Sequence, residues 1–201
     1  KMTDKISLKK GSSEKISLKK VAPALKELRL EFSWKSDSKL DLDVSALVCR
    51  HNAAGNPEML SARHLVCYAN KFDPERSTFA GDDVRDGTGS MEQIDITLAK
   101  ISPDAQEIAF VLTIDDDTGL KRFGHASEGM LKIFDSERNV EILDFDFLAP
   151  EVAGNTICHV ASLVREDGEW KLKAYGVGKA GLDICDVVMA FGGKKEWYEC
   201  P

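Results

Sequence analysis

The 201-residue sequence contains no run of about 18 apolar residues, so no stretch has the length of a membrane-spanning helix. Its start, KMTDKISLKK, also lacks the apolar core of roughly 7–15 residues that marks a secretory signal. Both absences give a cytoplasmic expectation, with no direct membrane insertion. Cysteine is sparse. The five present (Cys49, Cys67, Cys158, Cys185, Cys200) are odd in number and have no short regular spacing, which suits reduced thiols better than a disulfide framework. Aromatics make up only 7%, and Trp34, Trp170 and Trp197 stand apart with no basic stripe beside them, so a nucleic-acid platform is not expected.

Catalytic and nucleotide signatures are equally thin. Gly176 to Gly181 fits G-x-G-x-x-G, but the 20 residues after it are too few to complete a βαβ unit, and a tight turn into a final helix is the simpler reading. Gly124 to Gly129 (GHASEG) misses the G-x-S-x-G nucleophile elbow by one residue and has no strand–turn–helix around it. Cys49, His51, His64 and Cys67 are the right donors for zinc, yet His64 and Cys67, three apart, do not share a strand face unless a bulge intervenes. Asp115 and Asp116 could pair as acid and base in a glycosidase, but neighbours in one loop better suit ligands or turn formers. The expectation is a protein that is not an enzyme.

Charge is present and unevenly placed. Residues 1–35 hold ten Lys/Arg against four Asp/Glu, residues 36–117 hold seven against sixteen, and the remainder ten against fourteen, for a net −7. So acidic a middle segment repels nucleic acid and attracts cations, while the basic start can meet an anionic partner or its own acidic face.

The hexapeptide KISLKK occurs at 5–10 and again at 15–20, each copy alternating Ile and Leu with Ser and Lys. Two short antiparallel strands around a turn are the simplest reading, the lysines guarding exposed edges. Strand-like runs follow at 26–34, 42–50, 63–69, 93–98, 106–114, 129–135, 139–147, 155–166 and 169–178, separated by turn residues such as Glu137–Arg138–Asn139 and Glu166–Asp167–Gly168. Many short strands at this spacing predict an all-β, two-sheet sandwich with one or two short helices, one of them C-terminal at about 181–191. Residues 1–193 are expected to form a single domain and 194–201 a tail.

Acidic and amide side chains fall at the ends of these strands. In LDLDVS, period-two geometry sends Asp41, Asp43 and Ser45 to one face and Leu40, Leu42 and Val44 to the core. Asn70 ends the next strand, the glycine-bearing loop 81–89 contributes Asp82, Asp83 and Asp86, Glu92 opens a strand, and Asp115 and Asp116 close another. Gathered together, such groups repel by about 4 kcal/mol per close pair at an effective dielectric near 20, and a divalent cation reverses the sign. Oxygen-only ligands and a flexible loop favour calcium over magnesium, zinc or copper. Spacing alone leaves open that these acids are solvated turn formers, and D-x-D at Asp41 is not an EF-hand, because Cys49 and Arg50 stand where later ligands belong.

These motifs carry a resemblance. KISLKKG and KISLKK match a doubled "I/V-S-L-x-K-G" opening, Leu40 to Ala46 an F-D-L-D-x-S-A strand, Cys67 to Asn70 an F-Y-N-N element, and Gly81–Asp82–Asp83 through Glu92–Gln93–Ile94 a G-D-N loop ending in E-Q-I. Thr113 to Asp116, Phe123–Gly124 and Gly168 to Leu182 match the later pieces. As a set, spanning nearly the whole chain, they resemble the TerD-type tellurite-resistance and stress proteins of bacteria.

The resemblance implies a β-sandwich binding one or two calcium ions at one end, with ligand roles for Asp41, Asp43, Asn70, Asp82, Glu92, Asp115 and Asp116 and with Asp83 in the same set. It also implies a non-enzymatic module of a tellurite, phage or colicin resistance system, acting through other stress-resistance proteins, membrane-associated ones among them. The alternatives are a binder of small, cyclic-nucleotide-like molecules and a hydrolase using metal-bound water. Lys39 stands where the family often has Asp, Ala69 replaces an Asn, and Ser90–Met91 replace two acids. Fewer charged ligands imply weaker binding or the loss of one site.

Overall fold

Alternating burial sets the strands. In the run Glu27–Lys35, Leu28, Leu30, Phe32 and Trp34 are all buried, while every residue between them keeps some exposure. The structure is a computed structural model that describes residues 6–8, 15–81, 84–85 (backbone only) and 90–198. In chain order the strands are β1 (Ile6–Leu8), β2 (Lys15–Ser17), β3 (Glu27–Lys35), β4 (Asp41–His51), β5 (Pro57–Met59), β6 (Leu65–Val66) and β7 (Thr78–Ala80). They continue with β8 (Val84–Arg85), β9 (Ser90–Thr97), β10 (Glu107–Asp115), β11 (Glu128–Asp135), β12 (Val140–Asp146), β13 (Ile157–Glu166) and β14 (Glu169–Lys179). Two short helices, α1 (Leu18–Val21) and α2 (Ile184–Ala190), complete the order with several 3-10 turns.

The strands form two sheets, as expected of an all-β sandwich. One runs β1-β12-β11-β3-β9-β7 with β8 also on β9, and the other runs β2-β14-β13-β10-β4-β5 with β6 also on β4. Their facing sides share one core, to which Trp34, Phe32, Phe110, Phe123, Phe145 and Phe147 bring the largest side chains. Burying each contributes roughly 1.5–3 kcal/mol relative to exposure. The tight Asp167–Gly168 connection between β13 and β14 has φ of 52° and 75°, the left-handed pair that a two-residue hairpin requires.

The two KISLKK copies do not pair with each other. The first copy's β1 lies parallel to β12 on the edge of one sheet, and the second copy's β2 lies antiparallel to β14 on the edge of the other. Splitting the repeat gives each sheet one short outermost strand. The second copy then leaves the sheet: Ser17 caps α1 by accepting from the Lys20 amide, and Leu18 and Val21 enter the core. Its basic residues meet the protein's own acidic hairpin, Lys15 bonding Glu166 and Lys19 lying 3.6 Å from Glu169.

The second sheet is also covered on its outer side. Leu47, Cys49, Met59, Leu65, Cys67, Ala109 and Val111 form a smaller core there with Val187, Val188 and Phe191 of the α2 region. Asp183 starts α2 by accepting from the Cys185 and Asp186 amides, later than the expected 181, because Gly181 makes the turn at φ 134°. Trp197 and Tyr198, in the segment expected as a tail, pack against this same smaller core. Cys49, Cys67 and Cys158 are buried and outside any disulfide, but Cys185 is disulfide-bonded, so the expectation of wholly reduced thiols does not hold.

His159 lies on this covered side, its ring stacked 4.3 Å from Tyr175, edge-on to Phe191 at 5.7 Å, and bonded to Ser162 Oγ at 2.8 Å. Burial, helped by the charges of Lys179 and Lys173, lowers its pKa to about 3. The ring stays neutral in the fold while the unfolded imidazole takes a proton near pH 6.5, so its contribution is full above that pH and drains away as pH falls toward 3. By pH 5 the loss is about 2 kcal/mol. Urea unfolding at pH 7 and pH 5 should show His159→Gln losing less stability than the parent by that amount. Equal losses would contradict the assignment.

Candidate metal centre

β4 begins and β10 ends at the same end of the sandwich, and their antiparallel register sets Asp41 opposite Asp115 and Asp43 opposite Thr113. The even residues Leu42, Val44, Ala46 and Val48 belong to the inter-sheet core, so Asp41, Asp43 and Ser45 share the outer face, as the alternation predicts. Directly opposed residues on one face have Cβ atoms about 4.5–5.5 Å apart, and like charges in that relation are unfavourable.

Asn70 is moored in the turn that follows β6. Cys67 and Asn70 exchange backbone hydrogen bonds of 3.0 and 3.1 Å, and Asn70 Nδ2 donates to the carbonyls of Arg63 and Leu65, the latter at 2.7 Å. The amide nitrogen is thus engaged, and Oδ1 is the acceptor end of the side chain. Asp43 lies within electrostatic reach of the Cys67 thiol. That thiol's pKa is raised, chiefly by burial, with Asp43 adding to it and the Ala69 and Asn70 amides opposing it. Tyr198 also senses Asp43, its own pKa raised first by burial and then by its bond to Tyr68, 2.8 Å between the hydroxyls. The C-terminal segment therefore lies within electrostatic reach of Asp43, which no sequence motif signalled.

Glu92 comes from the other sheet. It is 7% exposed on the core-facing side of β9, and its Oε2 accepts from the Val44 amide. β6 pairs with β4 only at Ala46 and Leu47, so the β4 edge is open at Val44 and a carboxylate from the facing sheet fills the gap. Glu92 clasps the two sheets at the acidic end.

Asp116 differs from the others. Its carboxylate accepts from the Thr118 amide and hydroxyl, from the Leu120 amide at 2.9 Å and from the Lys121 amide at 2.8 Å. These bonds, Lys121 first and Thr118 next, lower its pKa to about 2. It is built into its own turn, as Asp residues in loops often are. Asp82 and Asp83 lie outside the described residues. Among the described residues no three of His, Cys, Asp and Glu gather closely enough to hold a metal ion.

That finding also removes the zinc arrangement of Cys49, His51, His64 and Cys67. Cys49 and Cys67 are buried on the outer face of the second sheet with pKa values raised by burial, so neither is a ready thiolate. No helix of the described residues is long and apolar enough to cross a membrane.

A two-sheet sandwich with edge strands drawn from a doubled N-terminal repeat, and with acids collected where β4 starts and β10 ends, defines a class of all-β proteins with an acidic pole. Residues 4–189 match the model of the TerD domain, and the chain belongs to the TerD family. It is 30% identical over 183 residues to the tellurium resistance protein TerD of Serratia marcescens, covering 88% of this chain and 92% of that protein. It matches general stress protein 16U of Bacillus subtilis to the same extent. The fold is shared with the crystal structure of a homologue of telluride resistance protein (TerD) from Streptomyces coelicolor A3(2), at a TM-score of 0.66 and 21% identity, covering 85% of this chain and all of the other.

The Asp116 turn makes its own prediction. A carboxylate whose pKa drops on folding supports the turn fully above about 3.8 and releases it as pH falls through about 2. NMR titration should place the Asp116 carboxyl near the lower value, and Asp116→Ala should speed hydrogen exchange at Leu120 and Lys121. A midpoint near 3.8 would contradict the bonding described.

Proposed function

We propose that the acidic pole is a calcium site and that the protein is a calcium-dependent module of a bacterial stress-resistance system, of the kind its relatives' names indicate. The observation that carries this reading is the placement of Asp41 opposite Asp115 on one face, two residues from Asp43, where like charges directly opposed favour a cation between them. On this reading Asp41, Asp43, Asp115, Asn70 and Glu92 would supply donors as the ion draws them together, and resemblance adds Asp82 and Asp83. All are hard oxygens, the donor type of calcium. Asp116 acts by fixing the turn after β10.

On this reading the ion's role is structural. Bound between the start of β4, the end of β10 and the Glu92 clasp, it draws together loops from both sheets. It thereby shapes a cytoplasmic surface for other stress-resistance proteins, with no chemistry at the ion itself.

Thermal unfolding with calcium and with chelator tests the proposal. At a hundredfold excess over Kd, ligand binding stabilises by about 2.7 kcal/mol, which for a domain of this size moves the midpoint by roughly 5–10 °C. Asp43→Asn should abolish most of that shift while leaving the chelated midpoint unchanged or higher. The same midpoint with millimolar calcium as with chelator would remove the calcium reading.

A further inference from the structure

Ten residues along β4 from Asp41, roughly 33 Å of extended strand away, the sandwich has a second concentration of functional side chains. A polar cleft of about 600 Å³ opens there between Arg50 and His51 at the end of β4, Leu60 and His64 before β6, and Glu75 and Gln106. Leu60 and His64 flank Ser61 in the chain. Ser61 Oγ lies 2.7 Å from His64 Nδ1, and His64 Nε2 lies 3.1 Å from Glu75 Oε2.

The chemistry of the partners fixes the direction of these bonds. An ionised carboxylate only accepts, so His64 donates to Glu75 through Nε2–H, and Nδ1 keeps the lone pair that receives the Ser61 hydroxyl proton. The result is a serine–histidine–carboxylate relay, with the two ring nitrogens exchanged relative to the arrangement in which the serine faces Nε2.

Helix capping does not account for Ser61. It precedes the 3-10 turn Ala62–His64 but makes no side-chain capping bond to it, so its hydroxyl is directed at the imidazole. His64 is 7% exposed, which holds the ring in place. Glu75 is carried on a loop pinned from beneath. Asp73, 1% exposed, accepts from the Ser77 amide at 2.7 Å, the Ser77 hydroxyl at 2.6 Å and the Thr78 amide at 2.8 Å. Arg76 in the same loop lies 4.0 Å over the Phe72 ring. Base and orienting acid thus line the cleft, and the serine hydroxyl reaches the base from beside it, an arrangement that supports covalent catalysis.

We propose that this cleft is a hydrolytic site for small carboxylic esters, with Ser61 as nucleophile, His64 as general base and then acid, and Glu75 as the positioning residue. Ser61 Oγ attacks the ester carbonyl carbon as its proton passes to His64 Nδ1. The carbon–oxygen bond to the alcohol breaks, and the alcohol leaves with that proton. Water then attacks the acyl-serine, His64 returns a proton to Ser61 Oγ, and the carboxylic acid is released, so ester and water give acid and alcohol. The site lies apart from the acidic pole and does not rest on the calcium reading.

A fluorophosphonate probe and p-nitrophenyl acetate, applied to the full chain, test it. The expected result is one covalent adduct, mapped by mass spectrometry to Ser61, and ester hydrolysis that falls at least tenfold in Ser61→Ala. His64→Gln should slow labelling by about 10²-fold or more at an unchanged melting midpoint. Glu75→Gln should slow labelling and shift the His64 ring nitrogen NMR signals away from the Nε2-protonated form, a change that loss of packing alone would not produce. Absence of an adduct on the wild-type chain, an adduct elsewhere, or hydrolysis unchanged in Ser61→Ala would overturn the proposal, whatever the variants' stability.

Discussion

The antiparallel register of β4 on β10 is the constraint on which both ends of the molecule depend. Nine consecutive residue pairs run from Cys49–Glu107 to Asp41–Asp115, and each strand is covered on both faces, inward by the other sheet and outward by the α2 region. A slip by one residue would turn Leu42, Val44, Ala46 and Val48 out of the main core and drive Asp41 and Asp43 into it. The hydrophobic cost of that exchange, several buried aliphatic side chains at roughly 1.5–3 kcal/mol each plus buried charge, far exceeds the repulsion between opposed aspartates. The packing of the middle of the strands therefore dictates what meets at their tips.

Much of this was legible from local pattern. Wherever alternation is regular, as in β3, β9 and β11, the expected and observed strands agree to within a residue or a few. In LDLDVS the division between core-facing leucines and outward aspartates followed directly from period two. Legibility failed where burial on both faces or a bulge broke the period. β13 turns the adjacent residues Val160 and Ala161 into the same core, since the register shifts between His159 and Ala161, and alternation cannot show that. The short strands β5 and β7 were missed because two- or three-residue pairings take their stability from the neighbouring strand. The fate of the KISLKK repeat was a tertiary matter, since identical hexapeptides became edge strands on different sheets.

The site residues divided in the same way. Asp41, Asp43 and Asp115 could be placed by strand periodicity. Asp116 could not be told from them by sequence, although its hydrogen bonds commit it to its own turn. The bond of Tyr198 to Tyr68 depends on how the chain returns after α2, for which no local signal exists. Ser61, His64 and Glu75 were equally hidden. Their relation is set by a 3-10 turn and by an Asp73-capped loop, and neither has a periodicity to read.

Aspartate is disfavoured within strands, as are buried carboxylates and histidines, yet β4 carries two aspartates, β10 carries the 4% exposed Glu107, and β13 carries the buried His159. Such local violations persist in a cooperative fold when something specific offsets them. Glu107 is offset by His51, 2.8 Å away, and His159 by Ser162 and two aromatic rings. Asp41 of β4 is set directly opposite Asp115, a like-charge relation. Moving the β4 aspartates to a turn would satisfy propensity without disturbing the core, since their side chains lie on the outer face. The calcium site proposed above would account for their presence in the strand, since a rigid ladder holds oxygen ligands at fixed spacing more accurately than a loop.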